Sequence, residues 1–268
     1  MSIASKRPKN LSLHKMIPNM ITLTALATGM TAVKFAIAGR WEAAVIAIVI
    51  AGFMDAFDGA AARLLKAQSA LGAELDSFSD FVCFGVAPAI VLYLWVLNDW
   101  PRWGWAVALV FAMAVALRLA RFNIATAEKT PGDPLALYFT GVPSPVGAGL
   151  AIAPMVACFQ EPRAEELLHG MPWLVAGWTL VVAVLMVSNV PTFSSKQFRI
   201  PYALRVPFLG LFALLLAGLI NETWPTLSLM IGTYLLLLPF GVIHYARTKS
   251  RIDRGQALPE DSDIDHDD

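Results

Sequence analysis

WEAAVIAIVIAGFMDAFDGAAARLL, residues Trp41–Leu65, is long and apolar enough to cross a bilayer, yet it carries Asp55 and Asp58 in its second half. Spanning the hydrocarbon takes about 20 residues, within a range of about 17–25. The stretch has no strand alternation, and Gly52 and Gly59 are too few to break it. It reads as a transmembrane helix with two acids inside. Similar apolar blocks lie on both sides of it, and they set the fold class.

Eight blocks meet the length test: Ile17–Ala38, Trp41–Leu65, Gly72–Leu97, Trp103–Ile124, Val142–Phe159, Trp173–Val190, Leu204–Ile220 and Trp224–Tyr245. The fifth is at the short end. The chain is 57% hydrophobic and only 15% charged, against about a quarter charged in soluble domains. The expected fold is therefore all-α, a polytopic bundle of about eight transmembrane helices. The basic start (Lys6, Arg7, Lys9, Lys15) followed by an apolar run resembles a secretory leader. That run is too long for most leader cores and further spans follow, so it reads as the first membrane helix.

Lys and Arg set the orientation. Sixteen lie in the N-terminal tail, in the loops after the second, fourth and sixth blocks, and in the C-terminal flank. The alternate loops hold three, Arg40, Arg102 and Arg163. This asymmetry predicts both termini in the cytoplasm. Trp41, Trp100, Trp103, Trp105, Trp173 and Trp224 gather on the other side, as an interfacial belt does. Three regions follow: a basic tail over residues 1–15, a membrane-embedded domain over 16–247, and an acidic tail over 248–268 expected to be disordered. The net charge is zero, and no nucleic-acid partner is expected. Cys83 and Cys158 lie apart in apolar blocks and suggest neither a disulfide nor a metal knuckle.

Acids inside spans are costly and functional by default. Asp55 and Asp58 are three apart on the second helix, and Asp76 and Asp80 four apart on the third, so each pair shares a helix face. The connecting loop centres near Gln68. Antiparallel packing at about 1.5 Å per residue sets Asp58 level with Asp76 and Asp55 level with Asp80. Four like charges so placed demand protons or cations. Oxygen-only ligands suit Mg²⁺ or Mn²⁺, and four carboxylates are enough for two ions. A two-metal site clamps the attacking and leaving oxygens of phosphoryl transfer. Arg63 has the planar fork that suits a diphosphate, and Gly59 and Gly72 permit close approach. Glu74 is two residues from Asp76 and faces away from it.

From Asp55 to Asp80 the chain reads D-x2-D-G-x2-A-R-x8-G-x3-D-x3-D, filled by Asp55, Asp58, Gly59, Ala62, Arg63, Gly72, Asp76 and Asp80. The pattern resembles the CDP-alcohol phosphatidyltransferase family at every fixed position. The resemblance implies a six-helix catalytic core and two divalent metals, with cytidine diphosphate beside the aspartates. It implies that Asp55, Asp58 and Asp76 hold metal, and that Asp80 touches metal and acts as general base. Gly59, Ala62, Arg63 and Gly72 would line the nucleotide site. Pro18-Asn19 with Thr22 is similar to members in which the first helix helps enclose the nucleotide.

Further motifs are similar to the serine-using branch: Gly72–Asp80, Phe84–Pro88, Arg118–Asn123, Phe139–Pro145 and Pro191–Ser194. The implied substrates are CDP-diacylglycerol and L-serine in a bed of membrane lipids, in the bacterial cytoplasmic membrane. A homodimer is left open. Arg118, Arg121, Asn123 and Lys196 are the candidates for holding the acceptor or a lipid phosphate. Glycerol 3-phosphate, choline and inositol phosphate are the alternative acceptors, because aspartate spacing does not choose among them. A cation or proton transporter is the reading from another class. It explains the acids as a relay but leaves Arg63 without a role, and the chain shows no internal repeat.

Overall fold

The computed structural model describes residues 16–65, 67, 69–127, 138–188, 191–193 and 205–253. The first two blocks are continuous helices, α1 (Ile17–Ile37) and α2 (Trp41–Leu64), joined by a turn at Ala38–Arg40. They pack through small residues. Ala25, Gly29, Ala32 and Ala36 recur every three or four positions along α1 and are buried, as are Ala44, Ala47 and Ala51 of α2. Small side chains let two backbones approach within lipid, where apolar burial alone gives no preference for helix over acyl chain.

The third block is one long helix with a defect. It opens as α3 (Ala70–Asp80), widens to a π-helical segment at Phe81–Val86, and resumes as α4 (Ala87–Trp95). Pro88 has no N–H to give the carbonyl four residues back, so the ladder loosens there. The widened turn begins directly after Asp80. It also crosses α1 closely, since a Cβ on Gly29 would lie 2.5 Å from Cys83 Sγ.

After a short 3-10 turn at Leu97–Asp99 comes α5 (Gly104–Ala127). The fifth block is divided into α6 (Ser144–Ala151) and α7 (Ala153–Cys158), with Pro154 at the break. The helix α8 (Pro162–Gly170) turns through 87° into α9 (Pro172–Val187). The last described helices are α10 (Arg205–Asn221) and α11 (Thr223–Asp253). The segments β1 (Tyr138–Thr140) and β2 (Pro191–Phe193) form a two-stranded antiparallel ribbon. The helix α11 continues six residues into the 248–268 stretch, and the rest of that tail and residues 1–15 lie outside the described residues.

This is an all-α polytopic membrane protein. Among the described residues four helices are long and apolar enough to span a bilayer: Ile17–Ile37, Trp41–Leu64, Ala70–Trp95 and Gly104–Ala125. The bent pair α8–α9 makes a fifth if counted as one span. The remaining blocks appear as shorter or broken helices. At most half of each spanning window is buried, and Met20, Leu23, Met30, Phe57, Leu109 and Met113 point outward. An apolar exterior of that extent suits acyl chains rather than water. The core proper sits between α1, α2, α4, α5 and α9, around Leu92, Trp95, Phe111 and Met186.

Candidate active site

Three carboxylates meet where α2 approaches the end of α3. Asp55, Asp76 and Asp80 each present an oxygen, and all three lie within 4.8 Å of one another. The levels expected from the loop register hold: Asp55 faces Asp80, while Asp58 and Asp76 line one cavity. The fourth acid is placed differently from the single cluster expected. Asp58 is 3% exposed and is turned toward α1, where its Oδ2 accepts a hydrogen bond from the Thr22 hydroxyl at 2.6 Å. A three-residue step rotates a helix by about 300°, so Asp58 is offset from Asp55 by about 60°. That offset points one acid to α3 and the other to α1.

The cluster fits a divalent cation. Each intramembrane aspartate costs about 3 kcal/mol to insert, before any mutual repulsion. The donors are all oxygen, the ligand set of a hard cation. Asp80 Oδ1 is buried without a hydrogen-bond partner among the described residues.

Beside the acids lies a cavity of about 320 Å³. Its wall includes Asn19, Thr22, Asp58, Gly59, Ala62, Gly72 and Asp76. Almost the whole set of candidate nucleotide residues thus faces one space. Arg63 is exposed and lies next to Gly59 of that wall, with Nη1 3.7 Å from where a Gly59 Cβ would be. Pro18, Ala67, Ser69 and Ala73 complete the lining. Ser69 caps α3, its hydroxyl accepting from the Gly72 N–H at 3.0 Å. A serine just before a helical run, as Ser69 is here, is the sequence signal of such a cap.

Gly72 is required by space. A Cβ there would lie 2.9 Å from Asn19 Oδ1 and 3.1 Å from Ser69 Oγ. Asn19 can swing away, which spares the fold but removes it from the cavity. Gly72→Ala is therefore expected to leave the protein folded while raising the donor-substrate KM at least about fivefold, the low end of an overpacking cost of about 1–3 kcal/mol. Titration of the CDP-diacylglycerol donor that the family resemblance implies checks this; an unchanged KM contradicts it.

The basic candidates separate. Arg118 is partly buried, donates to the Ser144 hydroxyl and interacts electrostatically with Asp80, so it belongs to the site. Arg121 is exposed and donates to the Val187 carbonyl at 2.6 Å, tying α5 to the end of α9. Asn123 donates to Ser77 Oγ at 3.0 Å and links α5 to α3 one residue after Asp76. These bonds give Arg121 and Asn123 bracing roles in this structure. Glu74 is exposed. Lys196 lies outside the described residues.

Residues 15–189 match the CDP-alcohol phosphatidyltransferase family, and the chain belongs to that family. It is similar to the CDP-diacylglycerol–serine O-phosphatidyltransferase of Mycobacterium tuberculosis, with 34% identity over 85% of this chain and 78% of that protein. The Helicobacter pylori protein of the same name is 33% identical over 86% of this chain and 91% of its own length. The Bacillus subtilis one is 36% identical over 65% and 88%.

Proposed function

We propose that this chain transfers the phosphatidyl group of CDP-diacylglycerol to the hydroxyl of L-serine, forming phosphatidylserine and releasing CMP. The observation that carries the reading is the cavity bounded by Asn19, Thr22, Gly59, Ala62 and Gly72, with Asp58 and Asp76 in the same wall and Asp55 and Asp80 alongside. The names of the relatives supply the acceptor.

In this reading the cytidine diphosphate occupies the cavity between α1, α2 and α3, with Arg63, next to Gly59, near its phosphates. Asp55, Asp58, Asp76 and Asp80 would hold Mg²⁺ or Mn²⁺, two ions by carboxylate count, and such ions polarise phosphoryl oxygens and neutralise the departing phosphate. Asp80 takes the proton from the serine hydroxyl. The serine oxygen bonds to the phosphorus that carries diacylglycerol, and the bond from that phosphorus to the CMP oxygen breaks. Arg118, which donates to Ser144 and interacts with Asp80, would take the acceptor's negative charge.

The acceptor is tested by competition. Purified enzyme is given CDP-diacylglycerol, a divalent metal and equal serine, glycerol 3-phosphate, choline and inositol phosphate. Phosphatidylserine is expected to dominate the products. Dominant phosphatidylglycerophosphate would overturn the serine reading and leave the family reading standing.

We further propose eight spans with both termini cytoplasmic, in a bacterial inner membrane. The aspartates lie toward the end of α2 and in the second half of α3, whereas Trp41 opens α2 and Trp173 lies in the first turn of α9. Reporter fusions after Trp100 and after Glu222 are expected to read external. A cytoplasmic signal at either contradicts this topology.

A further inference from the structure

Among the described residues, four buried side-chain atoms have no hydrogen-bond partner: Asp80 Oδ1, Trp95 Nε1, Arg118 Nε and Tyr234 Oη. Three of these four groups are neighbours. Arg118 on α5 interacts electrostatically with Asp80 on α3 and with Tyr234 on α11. Buried polar groups are nearly always paired, so a knot of unpaired ones marks a place where a ligand supplies the partners.

The surroundings fix what kind of ligand. Arg118 spends one terminal nitrogen on Ser144, which anchors its fork against α6. Its Nε–H remains, and the Tyr234 hydroxyl is a second available donor. Tyr234 lies in the wall of a cavity of about 410 Å³ between α2, the π segment, α6, α7 and α11. Every other side chain lining that cavity is apolar. The wall passes Gly52 and Ala56, on either side of Asp55, and Pro145, next to Ser144. The two donors, one of them cationic, therefore interact with each other, and the cationic one also interacts with the Asp80 carboxylate. Their complement is a small molecule bearing a carboxylate and a hydroxyl a few atoms apart.

We propose that Tyr234 is an acceptor-specificity residue, its hydroxyl donating alongside Arg118 to the carboxylate of the incoming hydroxy amino acid while the substrate's own hydroxyl meets Asp80. This rests on the serine reading above and adds a residue to it. Tyr234 lies beyond residues 15–189 that match the family. Acceptor choice would then be set partly from outside the segment that carries the shared aspartates.

Tyr234→Phe removes one oxygen and keeps the ring. The serine KM is expected to rise about tenfold or more, as for loss of a hydrogen bond to a charged group, with kcat and the CDP-diacylglycerol KM little changed. Serinol, which has no carboxylate, gains nothing from the lost bond. The preference of kcat/KM for serine over serinol should therefore fall by the same factor. An unchanged serine KM overturns the proposal, as does a rise in the donor KM instead, which would turn the hydroxyl toward the lipid. Loss of thermal stabilisation by CDP-diacylglycerol together with all activity would show a structural hydroxyl and also overturn it. Wild-type enzyme run in parallel separates the two levels: if it forms no phosphatidylserine, the serine reading itself falls.

Discussion

Asp80→Asn is expected to lower the transfer rate at least about a hundredfold at saturating metal, the low end for loss of a general base or of transition-state electrostatics. The change keeps shape and removes charge. Asp80 faces Asp55, lies with it and Asp76 inside 4.8 Å, and has a buried Oδ1 with no protein partner among the described residues. Asn offers no comparable basicity and weaker metal affinity. Asp55→Asn and Asp76→Asn should cost a similar factor, because each takes one ligand from the same group. Pairs of these variants should lose little beyond the worse single, since residues that act as a unit are non-additive. Steady-state rates of CMP release from the three singles and the Asp55/Asp80 double check this. Near-normal activity in Asp80→Asn would remove it as the base.

Withdrawal of divalent metal is expected to have an effect as large. Among the described residues the cluster is made of carboxylates alone, with Arg118 interacting with Asp80 and Arg63 beside Gly59. Chelation should lower activity by at least about a hundredfold, and Mg²⁺ or Mn²⁺ should restore it. The Asp58 variant makes the finer point. Its carboxylate accepts from Thr22 and lines the cavity beside the cluster, so Asp58→Asn should weaken both metal dependence and donor binding. Metal titration of rate at fixed donor, in wild type and Asp58→Asn, separates these effects. Full activity after exhaustive chelation would contradict a metal-dependent site.

The sequence made the aspartates legible because two simple rules act on them together. Helix period sets each pair on a face, and loop length sets the pairs level across the bundle. Both rules survive in the structure. Asp58 shows their limit, since a 60° offset decides between α1 and α3, and only packing chooses. Asn19, Thr22, Gly59, Ala62 and Gly72 were readable through the family pattern rather than through periodicity, and they do share one cavity.

Other features left no local mark. Arg121 and Asn123 look like ligands in an arginine-rich helix end, yet their partners are a carbonyl at Val187 and a hydroxyl at Ser77, both distant in sequence. Tyr234 is one polar atom in an apolar run, and its meaning comes from Arg118 more than a hundred positions earlier. The π-helical turn after Asp80 follows from Pro88, whose missing N–H acts on a carbonyl upstream. The right-angle step from α8 to α9 likewise divides a region that hydropathy reads simply as loop then span.

The most direct test of the account follows both products of one reaction. Purified wild-type protein and Asp80→Asn are each supplied with CDP-diacylglycerol, Mg²⁺ and isotopically labelled L-serine, and lipid and nucleotide are measured by mass spectrometry. The wild type is expected to form labelled phosphatidylserine and CMP in equal amounts, with both nearly absent in Asp80→Asn. CMP released without label entering lipid, or equal phosphatidylserine from both proteins, would contradict a serine transfer carried out at this aspartate cluster.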